Sequence, residues 1–244
     1  MNKILKTFLG GALVASSLCA DVARVEMGAG IWQQTPNGTF NTSDTSGVLS
    51  LDGTYTTDAK DSNEVYFWML VKHPIPVLPN IRFEYVTLSD EGTFANTQSG
   101  ASTSAVLNMN QLDFIPYYNL IDNTAWITLD LGLDIKVIQA DAEVNTFPAY
   151  TNSETALLPL LYVRTRIEIP TTDIGLEADV KYISYDGSTV YDARAKFDYT
   201  FDITPVIQPG IEIGYRVQKF DVDSDDSKGT LEYSGIYAGA TLRF

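Results

Sequence analysis

Four acidic residues late in the chain stand at a spacing that could hold a hard cation. Asp221, Asp223, Asp225 and Glu232 occupy positions 1, 3, 5 and 12 of a calcium-loop pattern, and carboxylates at those offsets can wrap an ion that prefers oxygen ligands. Position 6 is Asp226, where the pattern uses glycine, and the flanks read as strands, not helices. The same residues therefore also read as an acidic, solvated hairpin loop. Base chemistry is scarcer. His73 is the single histidine, and histidine is the side chain whose charge changes near neutral pH. It opens a stretch, 73–80, that holds three prolines and reads as a turn. Cys19 is the single cysteine. If it leaves with an N-terminal leader, disulfides, thiolate chemistry and cysteine-ligated metals are excluded. Calcium is thus the only cofactor the residues suggest.

The elements that must position such residues are strands. Residues 233–244 alternate strictly, with Ile236, Ala238, Ala240, Leu242 and Phe244 on one face and Tyr233, Gly235, Tyr237, Gly239, Thr241 and Arg243 on the other. Period two means a strand. Ten strand-like segments follow the same rule: 22–33, 63–72, 81–89, 105–117, 125–138, 156–169, 173–186, 189–202, 206–221 and 231–244. In 125–137 the odd positions are apolar from Ala125 to Val137, and the even positions carry Asp130, Asp134 and Lys136. In 189–202 and 206–217 the apolar faces oppose Asp192, Arg194, Lys196 and Asp198, and then Glu212 and Arg216. The polar faces of the other segments present Arg24, Glu26, Glu64, Arg82, Glu84, Arg164, Arg166, Glu168, Glu177, Asp179 and Lys181. Both signs occur at similar frequency, so these side chains would pair across strands if enclosed.

Composition and the N-terminus narrow the setting. Lys3 and Lys6 precede a short apolar run, Phe8 to Leu18, and a cut after Cys19 or Ala20 fits a secretory leader over 1–20. A lipoprotein reading of Cys19 is weaker, because Leu18 stands where that signal wants a small residue. The remaining 21–244 suffices for one domain, and no later apolar stretch approaches the ~20 residues of a membrane-spanning helix. The formal net charge of −15 argues against nucleic-acid binding, which needs a basic footprint.

Connections between the segments alternate in length: 34–62 long, 73–80 short, 90–104 long, 118–124 short, 139–155 long and 170–172 short, before a tight turn at Asp186-Gly187-Ser188 breaks the pattern. A short turn near Ile203 and a longer acidic loop, 222–230, follow. Within 34–62, Val48-Leu49-Ser50-Leu51 could form an extra short strand. Phe83, Tyr85, Tyr117, Tyr118, Tyr199, Phe201, Tyr215 and Phe244 lie near strand ends, where interfacial aromatic girdles would sit.

Leader, alternating strands, alternating loops and terminal aromatic together resemble a Gram-negative outer-membrane β-barrel over the whole mature chain. The resemblance makes Phe244 part of the signal read by the barrel assembly machinery. It puts both termini and the short turns on the periplasmic side. The stretch Leu112-Asp113-Phe114-Ile115-Pro116-Tyr117-Tyr118-Asn119-Leu120-Ile121-Asp122-Asn123, followed by Leu129-Asp130-Leu131-Gly132-Leu133, is similar to a family of small outer-membrane barrels with no assigned activity. Barrel enzymes of the omptin, lipid A deacylase and phospholipase kinds use a histidine base, and His73 would lie at the wrong end for them. A hydrolase here would need an unrecognised carboxylate site.

The expected fold is therefore all-β: an antiparallel up-and-down transmembrane barrel of about ten strands, with eight as the smaller alternative and a soluble exported sandwich as the other. The expected protein is monomeric and non-enzymatic, and its partners are outer-membrane lipids and the assembly machinery. Its lumen is either plugged by interlocked charges, giving a structural envelope protein, or lined by segregated charges, giving a small passive channel for ions or polar solutes.

Overall fold

A computed structural model of the chain describes residues 24–43, 48, 49, 51–75, 77–146, 148–204, 206–225 and 227–244. The leader, Cys19 and Asp226 lie outside them. Eleven strands form one sheet: β1 (Arg24–Thr42), β2 (Gly53–Thr57), β3 (Ser62–Lys72), β4 (Asn80–Asn96), β5 (Ser102–Thr124), β6 (Ile127–Val144), β7 (Tyr150–Glu168), β8 (Ile174–Tyr185), β9 (Ser188–Thr200), β10 (Gln208–Asp223) and β11 (Ser227–Arg243). Every ladder is antiparallel, and β1 pairs with β11 to close the ring. Short β2 and long β3 share one position between β1 and β4, so the closed barrel has ten strand positions. That rules out the sandwich and the eight-strand alternative. The last residue completes the seam, where Phe244 N donates to Val25 O at 2.9 Å.

Most strands run further than their alternation suggests, and the physical reason is an inversion of polarity along the barrel axis. At the end that holds Val25 and Phe244, the near end, outward positions are apolar: Val25, Met27, Ala29 and Ile31 on β1, and Leu131, Leu133 and Ile135 on β6. Beyond that belt the outward positions turn polar, with Gln33, Thr35, Asn37 and Thr39 on β1 and Gln139, Asp141 and Glu143 on β6. Inward positions change oppositely. The far half of the interior is an apolar core that includes Trp32, Leu49, Tyr55, Phe94, Leu107, Ile138, Val144, Leu231 and Tyr233. Each long strand thus reads inside-out in the belt and inside-in above it. The far polar stretches of β1, β4 and β6 are strand because neighbours on both sides bind their backbones and inward side chains are buried.

Several expectations change accordingly. Much of the connection 34–62 becomes strand, taken up by the end of β1, by β2 and by the start of β3, and Val48 and Leu49 form a turn rather than a strand, with Leu49 buried in the far core. Ala125 and Trp126 are not strand. They form a two-residue turn between β5 and β6 with φ of 52° and 66°, the left-handed pair that suits a tight hairpin. Tyr117 is buried inside, edge-on to Tyr162, so it is no girdle residue. Tyr85, Tyr118, Phe201 and Tyr215 are exposed on the outer surface.

Aromatic side chains inside lie over glycines of nearby strands. A Cβ on Gly28 would fall within the Trp68 indole, and one on Gly239 would meet the Tyr66 hydroxyl. Both rings are buried and hydrogen-bonded to Glu212, so they cannot yield freely. Gly28→Val should therefore destabilise the barrel by about 1–3 kcal/mol, measured as a lower urea midpoint in detergent. Ala240→Val, on the outer face, should leave the midpoint unchanged.

Candidate functional site

The near half of the interior is ionic. Even positions on β4, β6, β7, β9 and β10 and odd positions on β5 and β8 point inward. Among the described residues, ten carboxylates and eight cations are buried there, and Arg24, Arg243 and Glu168 stand at the near rim. The two signs nearly cancel, as burial in a low-dielectric interior demands.

At the rim, Glu26 is bound by Arg24 (2.7 Å) and Arg243 (3.2 Å). Arg166 forks onto Asp198 through two nitrogens at 2.7 and 3.0 Å, and Arg243 adds a third bond to that carboxylate at 3.1 Å. One layer deeper, Arg164 bridges Asp130 (2.7 Å) and Glu177 (3.1 Å), while Lys196 donates to Glu212 at 2.9 Å and lies over the Trp68 ring. Deeper still, Lys136 and Lys181 share Asp113 at 2.8 and 2.5 Å. Arg216 holds Asp192 at 2.6 Å, and Arg194 holds Asp179 at 2.7 Å.

Glu84 joins these layers. Its carboxylate lies 2.6 Å from both Arg82 and Lys181 and 2.9 Å from Arg194. Glu84 is on β4 and Arg194 on β9, which are diametrically opposite in the ring. Just above, Gln218 Nε2 on β10 donates to Gln111 Oε1 on β5 at 2.6 Å, a second contact across a full diameter. The interior is bridged wall to wall at two heights. A small, solvent-open pocket of about 30 Å³ remains at the near mouth, lined by Arg24, Lys72, Tyr117, Asp122 and Arg164 among others.

Of the residues singled out by alternation, all but one reach this interior. Glu64 instead accepts from Thr87 Oγ1 at 2.6 Å along the β3–β4 seam. Asp134 is fully buried, with no hydrogen-bond partner among the described residues. Alternation missed Asp113, because 105–117 mixes polar and apolar residues on both faces. Only its pairing opposite Lys136 marks it. Arg243 was on a recognised polar face, and its two acidic partners were not legible from spacing.

The calcium pattern does not become a cluster. Residues 221–223 and 227–232 lie in paired strands, with Asp221 opposite Thr230 and Asp223 opposite Lys228. Lys228 Nζ takes both Asp223 oxygens at 3.0 and 3.1 Å. No group of three metal-capable side chains converges among the described residues. His73 sits at the near end. Its Nδ1 accepts from Ile75 N at 3.2 Å and its Nε2 meets Pro79 O at 3.0 Å, so both ring nitrogens serve the turn.

No protein-family model and no curated protein sequence matches the chain. Among solved structures, the chain is similar to the outer membrane protease OmpT from Escherichia coli, with a TM-score of 0.53, 10% identity and coverage of 92% of this chain and 97% of that one. The fold is that of an outer-membrane β-barrel. Two further barrels match at TM-scores of 0.44 and 0.41. They are the translocator domain of the autotransporter NalP from Neisseria meningitidis (12% identity, 96% and 95% coverage) and OprG from Pseudomonas aeruginosa (8% identity, 91% and 96% coverage). At these identities the likeness concerns the barrel and nothing finer.

Removing Glu84 from this barrel would leave its cations short of a shared partner. Glu84→Ala should cost about 3–5 kcal/mol, seen as a large fall in the urea midpoint. Glu91→Ala, which breaks the exposed pair with Lys60, should leave the midpoint nearly unchanged, because solvent screens such a pair.

Proposed function

We propose that the chain is a monomeric, integral outer-membrane protein of a Gram-negative bacterium, exported with a cleaved leader. Its barrel is closed and non-catalytic, and it serves as a structural element of the envelope. The near end faces the periplasm and the belt faces lipid. Phe244, already paired to the first strand, carries the assembly signal. The observation that carries the closed reading is the pair of diametric contacts, Glu84 with Arg194 and Gln111 with Gln218. A ten-strand ring is narrow enough for side chains to fill, and here those of opposite walls touch. Ion pairs that are buried and mutually compensated resist separation, because parting them exposes each charge to low dielectric.

The non-catalytic reading is supported by the same engagement. The carboxylates of the network, Asp134 aside, are held by cations, and the single histidine is held by its own turn. Planar-bilayer recording on the mature chain, folded as judged by heat-modifiable gel migration, should give no discrete conductance steps. Reproducible steps whose ion selectivity shifts on charge reversal at Arg164, Arg166 or Asp192 would establish the passive channel instead.

A further inference from the structure

The barrel wall is not of even height. Strands β8 and β9 have 12 and 13 residues, while β7 has 19. The β7–β8 ladder runs only from Glu168 opposite Gly175 to Leu161 opposite Tyr182. Above it β7 continues in its ladder with β6. Along 153–160, β7 has no backbone partner on its other side among the described residues. Such a row of open amide and carbonyl groups is a template for another strand. Residues 153–157 are exposed on both faces, and Leu157 keeps 66% of its surface. Pro159 sits at the foot of this stretch, where a residue that cannot donate to a ladder is tolerated.

We propose that the far part of β7 is a docking edge for a basic, extended peptide segment of another protein, which adds as a strand beside it. Beyond the low β8–β9 hairpin, β10 ends almost level with it, since Asp221 still pairs with Thr189 of β9, so the space beside the β7 edge is open and has room for an added strand. The charges around the edge fix the partner's sign. Glu154 is on the edge itself, Glu143 is beside it on β6, and Asp186 is in the β8–β9 hairpin turn below. The surrounding acidity also opposes a second copy of this edge, since like charges would meet. Backbone pairing supplies the affinity and charge the selectivity, as in other strand-addition complexes.

The test uses the folded mature barrel in neutral detergent and a labelled octapeptide of alternating lysine and valine, followed by fluorescence anisotropy. Saturable binding that weakens with salt is expected. An added strand bonds its host through every second amide only. N-methylation at one set of alternate positions should abolish binding, and the other set should be tolerated. Glu154→Lys, and separately Glu143→Lys, should weaken binding by about tenfold while heat-modifiable migration persists. Four results would overturn the proposal: no saturable binding, equal binding of a control octapeptide of alternating glutamate and valine, equal effect of both methylation sets, or full affinity in both charge-reversal variants.

Discussion

A charge inside a closed ring of strands has nowhere to go for solvent, so it must find its opposite. The near half of this barrel is organised by that requirement. Glu84 answers Arg82, Lys181 and Arg194, and Asp198 answers Arg166 and Arg243. Each of those cations hangs from a different strand. Correct pairing is possible only if β4, β7, β8, β9 and β11 hold their register, because a slip of one residue would turn each strand's charges out of the ring. The network therefore specifies the barrel as much as it stabilises it.

The same requirement accounts for the neutral parts that surround it. Trp68 and Tyr66 give Glu212 two hydrogen bonds that its cation alone does not supply. Their rings reach it because Gly28, Gly30 and Gly239 leave room beneath them. Above the ions, the Gln111–Gln218 bond and the Trp32 ring, over which Arg216 lies, separate the charged layer from the apolar far core. The interior passes from ion pairs to amides to hydrocarbon in a few residues of rise.

Alternation alone made the belt legible. Wherever apolar residues stayed on the outer face, as in Leu129 to Val137 or Ile211 to Val217, strand, face and inward charge could all be read from the sequence. Legibility stopped where the polarity inverts. The segments read as ending at residues 33, 89 and 138 stop at that crossover, although the backbone ladders run on to Thr42, Asn96 and Val144. Threonine, asparagine and glycine in those stretches carry turn chemistry locally, and only pairing on both sides overrides it. Asp113 and the diametric contacts were hidden for another reason. They depend on which strands face each other across the ring, which local spacing does not encode.

The seam between β1 and β11 has a consequence for how the molecule comes into being. Trp32 and Gly235 touch across it while lying 203 residues apart in sequence. Closing so long a loop costs on the order of 5 kcal/mol of chain entropy before any seam contact forms. Until the last strand arrives, the first has no partner on that side, and the growing sheet presents two sticky margins and an unshielded greasy surface to its surroundings. Few local contacts can hasten ring closure, and until it happens the first and last strands both keep an open margin.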